Sequence, residues 1–245
     1  MALILLPTLS LALWLGFTLE SWALFLLLWL PASDLMKNLV DFFAVRIIRP
    51  RPVLRMALKE GVPIEGRTLC VIAGLLTGPG SGDDYAALLE RYRLANRDCG
   101  EELRFGLLAD LPDRGAPMGE EHRKWVKRAE EAVKALNEKH GGGFYLLFRQ
   151  PTFQSSDERY VGWERKRGAL LELTRLLRGQ TSGLQVRAGD RKALTGTKYV
   201  ITLDSDTALN VGTARELVGA MLHPLNRPQL DPKRRVVSEG YGLLQ

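Results

Sequence analysis

Two aspartates one residue apart are the side chains whose type and spacing point most directly to chemistry. Asp204 and Asp206 follow Tyr199–Leu203, a mostly apolar and β-branched run that predicts a buried strand. The carboxyl edge of a parallel sheet is where open α/β folds bind ligands. A carboxylate pair there suits Mg²⁺ or Mn²⁺, and such an ion usually keeps positions open for substrate phosphates. The pattern predicts a divalent metal site, although an Asp-rich turn between a strand and a helix has the same composition.

Three consecutive cations open the helix that is predicted at 163–177. Arg165, Lys166 and Arg167 stand there, followed by Gly168. A helix N-terminus already attracts anions, because its first amides are unpaired and its dipole is positive at that end. The added cations favour a diphosphate site, whereas the alternative is a solvated basic face on an amphipathic helix.

Three motif-like patterns do not match the families in which such motifs occur. The glycine-rich stretch 78–82 lacks the lysine of a P-loop and the spacing of a dinucleotide turn. The segment 140–143 has the composition of a lipase oxyanion loop, but the sequence contains no Gly-x-Ser-x-Gly. Phosphoaspartyl phosphatases place a threonine two residues after their second aspartate, where this chain has Ala208.

Strand-like and helix-like runs alternate from about residue 66 to residue 245. The predicted strands are Thr68–Leu76, Leu103–Ala109, Phe144–Phe148, Tyr199–Leu203 and Val236–Leu244. The predicted helices are Asp83–Asp98, Glu120–Lys139, Trp163–Leu177 and Thr213–Leu222. This alternation predicts an α/β fold with a largely parallel sheet and right-handed crossovers. The glycine-rich stretches Gly74–Gly82 and Gly179–Gly196 are interpreted as loops.

The first 30 residues contain one ionisable side chain, that of Glu20. Their apolar run is longer than the roughly 20 residues that a helix needs to cross a bilayer, so residues 1–31 are predicted to form a transmembrane segment. A signal peptide is the alternative, but a basic n-region and a clear cleavage site are missing. Glu20 leaves two layouts open: one span that holds a carboxylate, or two helices that turn near Glu20 and Ser21.

An amphipathic helix is predicted at 32–50, with Ser33 or Asp34 as its N-cap after Pro31. Its apolar residues recur at helical spacing: Leu35, Met36, Leu39, Val40, Phe43 and Ile47. Such a helix either lies in a membrane interface or packs on the following domain.

A basic cluster follows the amphipathic segment and consists of Arg46, Arg49, Arg51 and Arg55. Positive charge beside a membrane segment favours the cytoplasmic side and attracts anionic lipid. The cluster accounts for much of the net charge of +6, so the charge does not indicate nucleic-acid binding. The two cysteines, Cys70 and Cys99, lack metal-type spacing and are predicted to be free thiols.

Four long segments resemble the glucosyltransferase domain of the cyclic β-1,2-glucan synthases. They are GWERKRGALLELTRLLRG (162–179), KYVITLDSDT (198–207), LVGAMLHPLNRP (217–228) and EGYGLLQ (239–245). RFGLLADLPD (104–113) and PASD (31–34) also fit. That domain is of a family-84-like type and groups with inverting glycosyltransferases of the GT-A fold. The similarity runs with gaps from about residue 20 to residue 245 and covers only a small part of the family's chain.

The resemblance implies roles for several residues. Asp204 and Asp206 would bind Mn²⁺ or Mg²⁺ and, through it, the diphosphate of UDP-glucose. Lys166, with Arg167 and Gly168, resembles the Lys-x-Gly by which related synthases hold phosphate, and Asp110 would read the uracil. The general base is expected beyond residue 245, so no catalytic residue is assigned. A departure is Ala73-Gly74, where related enzymes place Pro-Thr or a similar pair in contact with the nucleotide.

The resemblance also sets the expected architecture. Residues 51–245 are expected to form the nucleotide-sugar-binding half of a GT-A, Rossmann-like domain, with a mostly parallel sheet truncated after about five strands. The membrane segment or segments and the amphipathic interfacial helix precede it.

The implied function is that of a membrane-anchored inverting glucosyltransferase fragment whose partners are UDP-glucose, a glucan acceptor and a lipid bilayer. It would lie at the inner membrane with the α/β domain on the cytoplasmic side. A truncated, inactive nucleotide-binding or assembly module is the alternative. The sugar and the linkage come from the resemblance alone.

Overall fold

A computed structural model describes residues 2–18, 22–48 and 52–245. The chain divides into two compact units, residues 1–52 and 53–245. The described part of the first unit consists of two helices that contact each other, α1 (Ala2–Thr18) and α2 (Trp22–Ile47).

The predicted membrane-spanning helix is not found in the structure. Within the ranges 2–18, 22–48 and 52–245, every helix is too short or too polar to cross a membrane. Helix α1 has only 17 residues. Helix α2 has 26 residues, but its second half contains charged side chains, namely those of Asp34, Lys37, Asp41 and Arg46. The turn expected near Glu20 and Ser21, and the residues Arg49 and Arg51 of the basic cluster, lie outside the described residues.

Helix α2 runs through Pro31 without a break, so no helix end separates the predicted segments 1–31 and 32–50. Proline inside a helix removes one hydrogen bond and costs about 3 kcal/mol. The leucines, alanine and methionine around it favour the helical state, which offsets this cost over many residues. Neither Ser33 nor Asp34 therefore begins a helix, and Lys37 and Asp41 form an i,i+4 ion pair at 3.2 Å farther along.

The second unit is built on a five-stranded sheet. Its strands are β1 (Thr68–Leu75), β2 (Leu103–Asp110), β3 (Phe144–Arg149), β6 (Leu184–Ala188) and β7 (Tyr199–Leu203), in the order β6-β3-β2-β1-β7. Strands β1, β2, β3 and β7 are mutually parallel, and β6 is antiparallel to β3. The predicted α/β fold with a mostly parallel sheet is therefore confirmed.

Helices cover both faces of this sheet. They are α3 (Ser81–Ala95), α4 (Glu120–His140), α5 (Arg165–Leu177) and α6 (Thr213–Leu222). Cys70 and Ile72 of β1 pack with α3, α4 and α6 on one face, while Leu69 and Val71 pack with α5 on the other. Burial on both faces explains why the central strands read as continuous apolar runs.

The two cysteines are buried free thiols, as predicted. Burial raises the pKa of Cys70 to about 12 and that of Cys99 to about 11.

Two segments differ from their predicted structure. The stretch 179–196 is not simply a loop, because it contains β6 between Gly179 and Gly189, whose φ angles of 71° and 93° suit turns. The strand predicted at 236–244 is shorter, and it does not join the main sheet. Its ordered part, β9 (Val236–Glu239), pairs with β8 (Gln229–Asp231) in a separate hairpin, which leaves β7 at the edge of the main sheet.

A second small hairpin was not predicted. It joins β4 (Thr152–Gln154) to β5 (Arg159–Val161) and lies between β3 and α5 in the sequence. Its Tyr160 exchanges backbone hydrogen bonds with Arg114, so the hairpin is fastened to the loop that follows β2.

Candidate functional site

The carboxyl ends of the parallel strands meet at one edge of the sheet. Asp110 ends β2 and lies opposite Leu75 of β1, Arg149 ends β3, and Asp204 follows β7. The structure therefore brings to one edge the strand ends that the sequence pattern predicted to be neighbours.

Lys166 and Asp204 form the central contact of this edge. The Nζ atom of Lys166 donates to Oδ1 of Asp204 at 2.5 Å. Both side chains are accessible, with 39% of Lys166 and 61% of Asp204 exposed. The first aspartate of the pair and the basic start of α5 are thus adjacent, as the metal-and-diphosphate hypothesis requires.

The second aspartate lies on the turn after β7. The backbone N–H of Thr207 donates to the carbonyl of Asp204 at 3.1 Å, and the hydroxyl of Tyr92 donates to the Thr207 carbonyl at 2.5 Å. These bonds fix the turn to α3. Asp206 is exposed and forms no ion pair with any residue of the described parts of the chain.

The turn after β7 offers a cation two carboxylates, those of Asp204 and Asp206. Among residues 2–18, 22–48 and 52–245, no cluster of three or more His, Cys, Asp or Glu side chains could enclose a metal ion. Mg²⁺ is commonly held in this way by one or two carboxylates, with substrate phosphates and water as the remaining ligands. The donor set therefore fits a hard divalent ion that arrives with a phosphate ligand.

The other two cations of the basic helix start have different partners. Arg165 donates to Oδ2 of Asp113 at 2.5 Å, and Arg167 pairs with Glu164 one turn earlier. Gly168 is buried, and a Cβ atom there would collide with the carbonyl oxygen of Trp163. Of the three predicted cations, Lys166 is therefore the one that contacts Asp204, whereas Arg165 and Arg167 pair with Asp113 and Glu164.

Asp110 lies in a buried ion pair that the sequence did not reveal. Its Oδ1 and Oδ2 atoms accept hydrogen bonds from Nε and Nη2 of Arg149 at 2.8 and 2.5 Å. Only 9% of Asp110 and 6% of Arg149 are exposed. A carboxylate has further lone pairs, so the uracil contact inferred for Asp110 stays a prediction. The signal that could have identified Arg149 in the sequence is its position as the one charged residue at the end of the apolar run of β3.

The end of β1 is shaped by an aromatic side chain. A Cβ atom at Gly74 would lie 2.6 Å from the hydroxyl oxygen of Tyr85, which projects from α3. Burial raises the pKa of this tyrosine. The small residue at the position where related enzymes place a nucleotide contact is therefore needed to accommodate Tyr85, which sequence reasoning missed.

A cavity of about 630 Å³ includes both members of the central contact. Its wall is formed by Lys166, by residues 198–204, which include β7, by residues 217, 218 and 221 of α6, and by residues 242–245. Pockets for small molecules and cofactors have volumes of about 300 to 1,000 Å³, so the cavity has the size of a ligand site.

Comparison with known proteins relates the chain to a glucan synthase. No protein-family model matches the chain. Over 226 residues it is 36% identical to the cyclic β-(1,2)-glucan synthase NdvB of Rhizobium meliloti (strain 1021). The aligned region covers 90% of this chain but only 8% of that synthase. The match confirms the resemblance to glucan synthases, and it extends over nearly the whole of the present chain.

Proposed function

Because this chain is related to a cyclic β-(1,2)-glucan synthase, we propose that it forms the donor-binding part of a glucosyltransferase. The donor in this proposal is UDP-glucose, and the product is a β-1,2-linked glucan. The observation that carries the proposal is the contact between Lys166 and Asp204 in a cavity of ligand size. A cation and accessible carboxylates at the carboxyl edge of the sheet suit the diphosphate of a nucleotide sugar.

The proposal includes Mn²⁺ or Mg²⁺ held by Asp204 and Asp206. When bound, the ion supplies electrostatic stabilisation to the diphosphate, whose negative charge grows as the bond to the sugar breaks. Lys166 adds a second positive charge on the same group. The protein's own task is to hold these charges in place before the reaction, so that little reorganisation is needed.

The acceptor in this proposal is a glucan hydroxyl. A general base must take its proton as the new glycosidic bond forms. We assign no residue of the present chain to that role, so the side chains of this chain contribute donor binding and charge stabilisation.

Association with a lipid bilayer, with the α/β unit on its cytoplasmic side, is also part of the proposal. It is supported by the second half of α2, where apolar side chains including Leu35, Phe42 and Phe43 are more than half exposed, at 54%, 55% and 52%. Lys37 and Asp41 lie on the same helix and are exposed as well. Amphipathic helices of this kind lie in membrane interfaces.

Binding of UDP to the full chain in the presence of Mn²⁺ tests the metal site. We expect Asp206→Ala to weaken UDP binding by about tenfold, since one of two protein ligands to the ion is lost. Asp157→Ala is the matched control, because Asp157 is an exposed acid on the turn between β4 and β5. Equal affinities of wild type and Asp206→Ala would refute the metal site. Failure of the wild type to bind UDP would favour the non-catalytic assembly module.

A further inference from the structure

Arg149 uses its guanidinium to join two separate parts of the site. Besides the two bonds to Asp110, Nη1 donates to the carbonyl of Trp163 at 2.7 Å and Nη2 donates to the carbonyl of Arg165 at 2.8 Å. Four of the five N–H groups that an arginine carries are thus engaged. Both carbonyls belong to the turn that precedes Lys166.

The turn that Arg149 holds has an unfavourable backbone conformation. Glu164 and Arg165 have φ angles of 47° and 43°, in the left-handed region that residues other than glycine rarely adopt. Such a conformation persists only where the surroundings enforce it. Arg149 donates to the carbonyls of Trp163 and Arg165, which lie on either side of Glu164. These hydrogen bonds therefore restrain the part of the backbone that has the left-handed conformation.

Two glycines make room for the guanidinium. A Cβ atom at Gly162 would lie 2.6 Å from Nη2 of Arg149, and one at Gly168 would lie 2.7 Å from Nη1. Neither glycine has a positive φ angle, so neither is required by backbone conformation. The close approach of the Arg149–Asp110 pair, whose Asp110 Oδ2 would lie 3.0 Å from the same Cβ, is the reason for a glycine at Gly162.

From these contacts we infer that Arg149 is a positioning residue that sets the direction of Lys166. Anchored by Asp110, it holds the strained turn at 163–165 and thereby places the Lys166 ammonium on Asp204. Its role in donor binding rests on the proposed function, whereas its effect on Lys166 does not. Arg149 itself is too deeply buried to act as a surface cation for the ligand.

Chemical labelling of the Lys166 amine tests this inference without any ligand. Acetic anhydride is applied to the full chain under limiting conditions, and modification of the Lys166 peptide is read by mass spectrometry. In Arg149→Lys we expect labelling of Lys166 to be at least about threefold faster, because an amine that no longer donates to Asp204 is more accessible to the reagent. Lys124, exposed on α4, serves as the internal reference. An unchanged ratio of the two labelling rates would overturn the inference.

Ligand binding separates positioning from direct contact. With UDP and with inorganic pyrophosphate as probes, Arg149→Lys should weaken both by about tenfold in the presence of Mn²⁺. In a Lys166→Ala background the same change should have an effect of less than about twofold, because residues that act through one another are not additive. Loss of UDP binding with pyrophosphate binding intact, or an equal loss in both backgrounds, would contradict positioning. Absence of UDP and pyrophosphate binding by the wild type would count against the proposed function. The labelling experiment would then decide on its own whether Arg149 positions Lys166.

A second variant covers the case in which Arg149→Lys does not fold, as judged by circular dichroism and thermal unfolding. Gly162→Ala crowds the guanidinium of Arg149 and the carboxylate of Asp110 without removing either charge, and it should accelerate labelling of Lys166 in the same way. Gly115→Ala is the control, since a Cβ atom there meets nothing within 4 Å. Slow labelling of Lys166 in a folded Gly162→Ala protein would contradict the inference.

Discussion

Lys166 and Asp204 are 38 residues apart in the sequence, yet Nζ of the lysine lies 2.5 Å from Oδ1 of the aspartate. Exposed pairs of this kind contribute at most about 1 kcal/mol to stability. In the proposed function, the pair presents a cation and a carboxylate to the ligand at the edge of the sheet that binds ligands in related folds.

Removal of Lys166 is predicted to affect two ligands in opposite directions. In the proposed site the lysine would compete with a metal ion for Asp204, so Lys166→Ala should bind Mn²⁺ alone as tightly as the wild type or more tightly. UDP in the presence of Mn²⁺ should bind about tenfold more weakly, since one charge-assisted contact with the diphosphate is lost. Calorimetric titration measures both affinities, with Lys124→Ala as the control. Parallel changes in the two affinities would exclude this competition.

The Asp110–Arg149 pair is predicted to be important for stability. Asp110→Ala leaves a buried arginine without its counter-ion and should lower the free energy of unfolding by about 3 to 5 kcal/mol. Asp113→Ala breaks the exposed pair with Arg165 and should cost less than about 1 kcal/mol. Urea unfolding of the two variants gives the comparison. If Asp110→Ala and Asp113→Ala lowered the free energy of unfolding by similar amounts, the buried pair would matter no more for stability than the exposed one.

Acid sensitivity is predicted to depend in part on Glu90, which joins α3 to α4. Hydrogen bonds from Lys139, at 2.7 Å, and from His140, at 2.6 Å, lower the pKa of this carboxyl below its ordinary value of 4.5. The folded state therefore binds the proton less readily than the unfolded state. The resulting stabilisation is present above the ordinary pKa and is lost as the pH falls through the lowered value.

Thermal unfolding between neutral pH and pH 3 tests this assignment. Glu90→Gln should melt at a lower temperature than the wild type near neutral pH, and the difference should shrink as the solution becomes more acidic than the ordinary carboxyl pKa. Glu138→Gln, which changes an exposed acid on α4, should show no such convergence. If the difference in melting temperature between wild type and Glu90→Gln stayed constant with pH, the charge of the Glu90 carboxylate would be ruled out as its cause.

Two elements agree with their predicted bounds to the residue, and most of the others differ by one to three residues at an end. The two that agree are Tyr199–Leu203 and Thr213–Leu222, where a β-branched apolar run and a helical repeat leave few alternatives. The proximity of Lys166 and Asp204 also follows from the sequence pattern, since parallel strands and the helices after them must present their ends at one edge.

Features set by distant contacts cannot be predicted in the same way. Strand β6 alternates polar Gln185 and Arg187 with apolar residues, as a half-buried strand does, but the run has only five residues and lies between glycines, which favour a loop. Arg149 is separated from Asp110 by 39 residues, and no local pattern indicates a partner that far away. Local rules favour a boundary at the proline in α2, whereas the residues on both sides sustain the helix.

The central claim is that Asp204, Asp206 and Lys166 act on one diphosphate, and the affinities of UDP and UMP in the presence of Mn²⁺ test it most directly. We predict that the wild type binds UDP at least about tenfold more tightly than UMP, because the second phosphate completes the contacts with metal and lysine. This advantage should disappear when Asp204 and Asp206 are both changed to alanine. Equal preference for UDP in the wild type and in the double variant would contradict the claim.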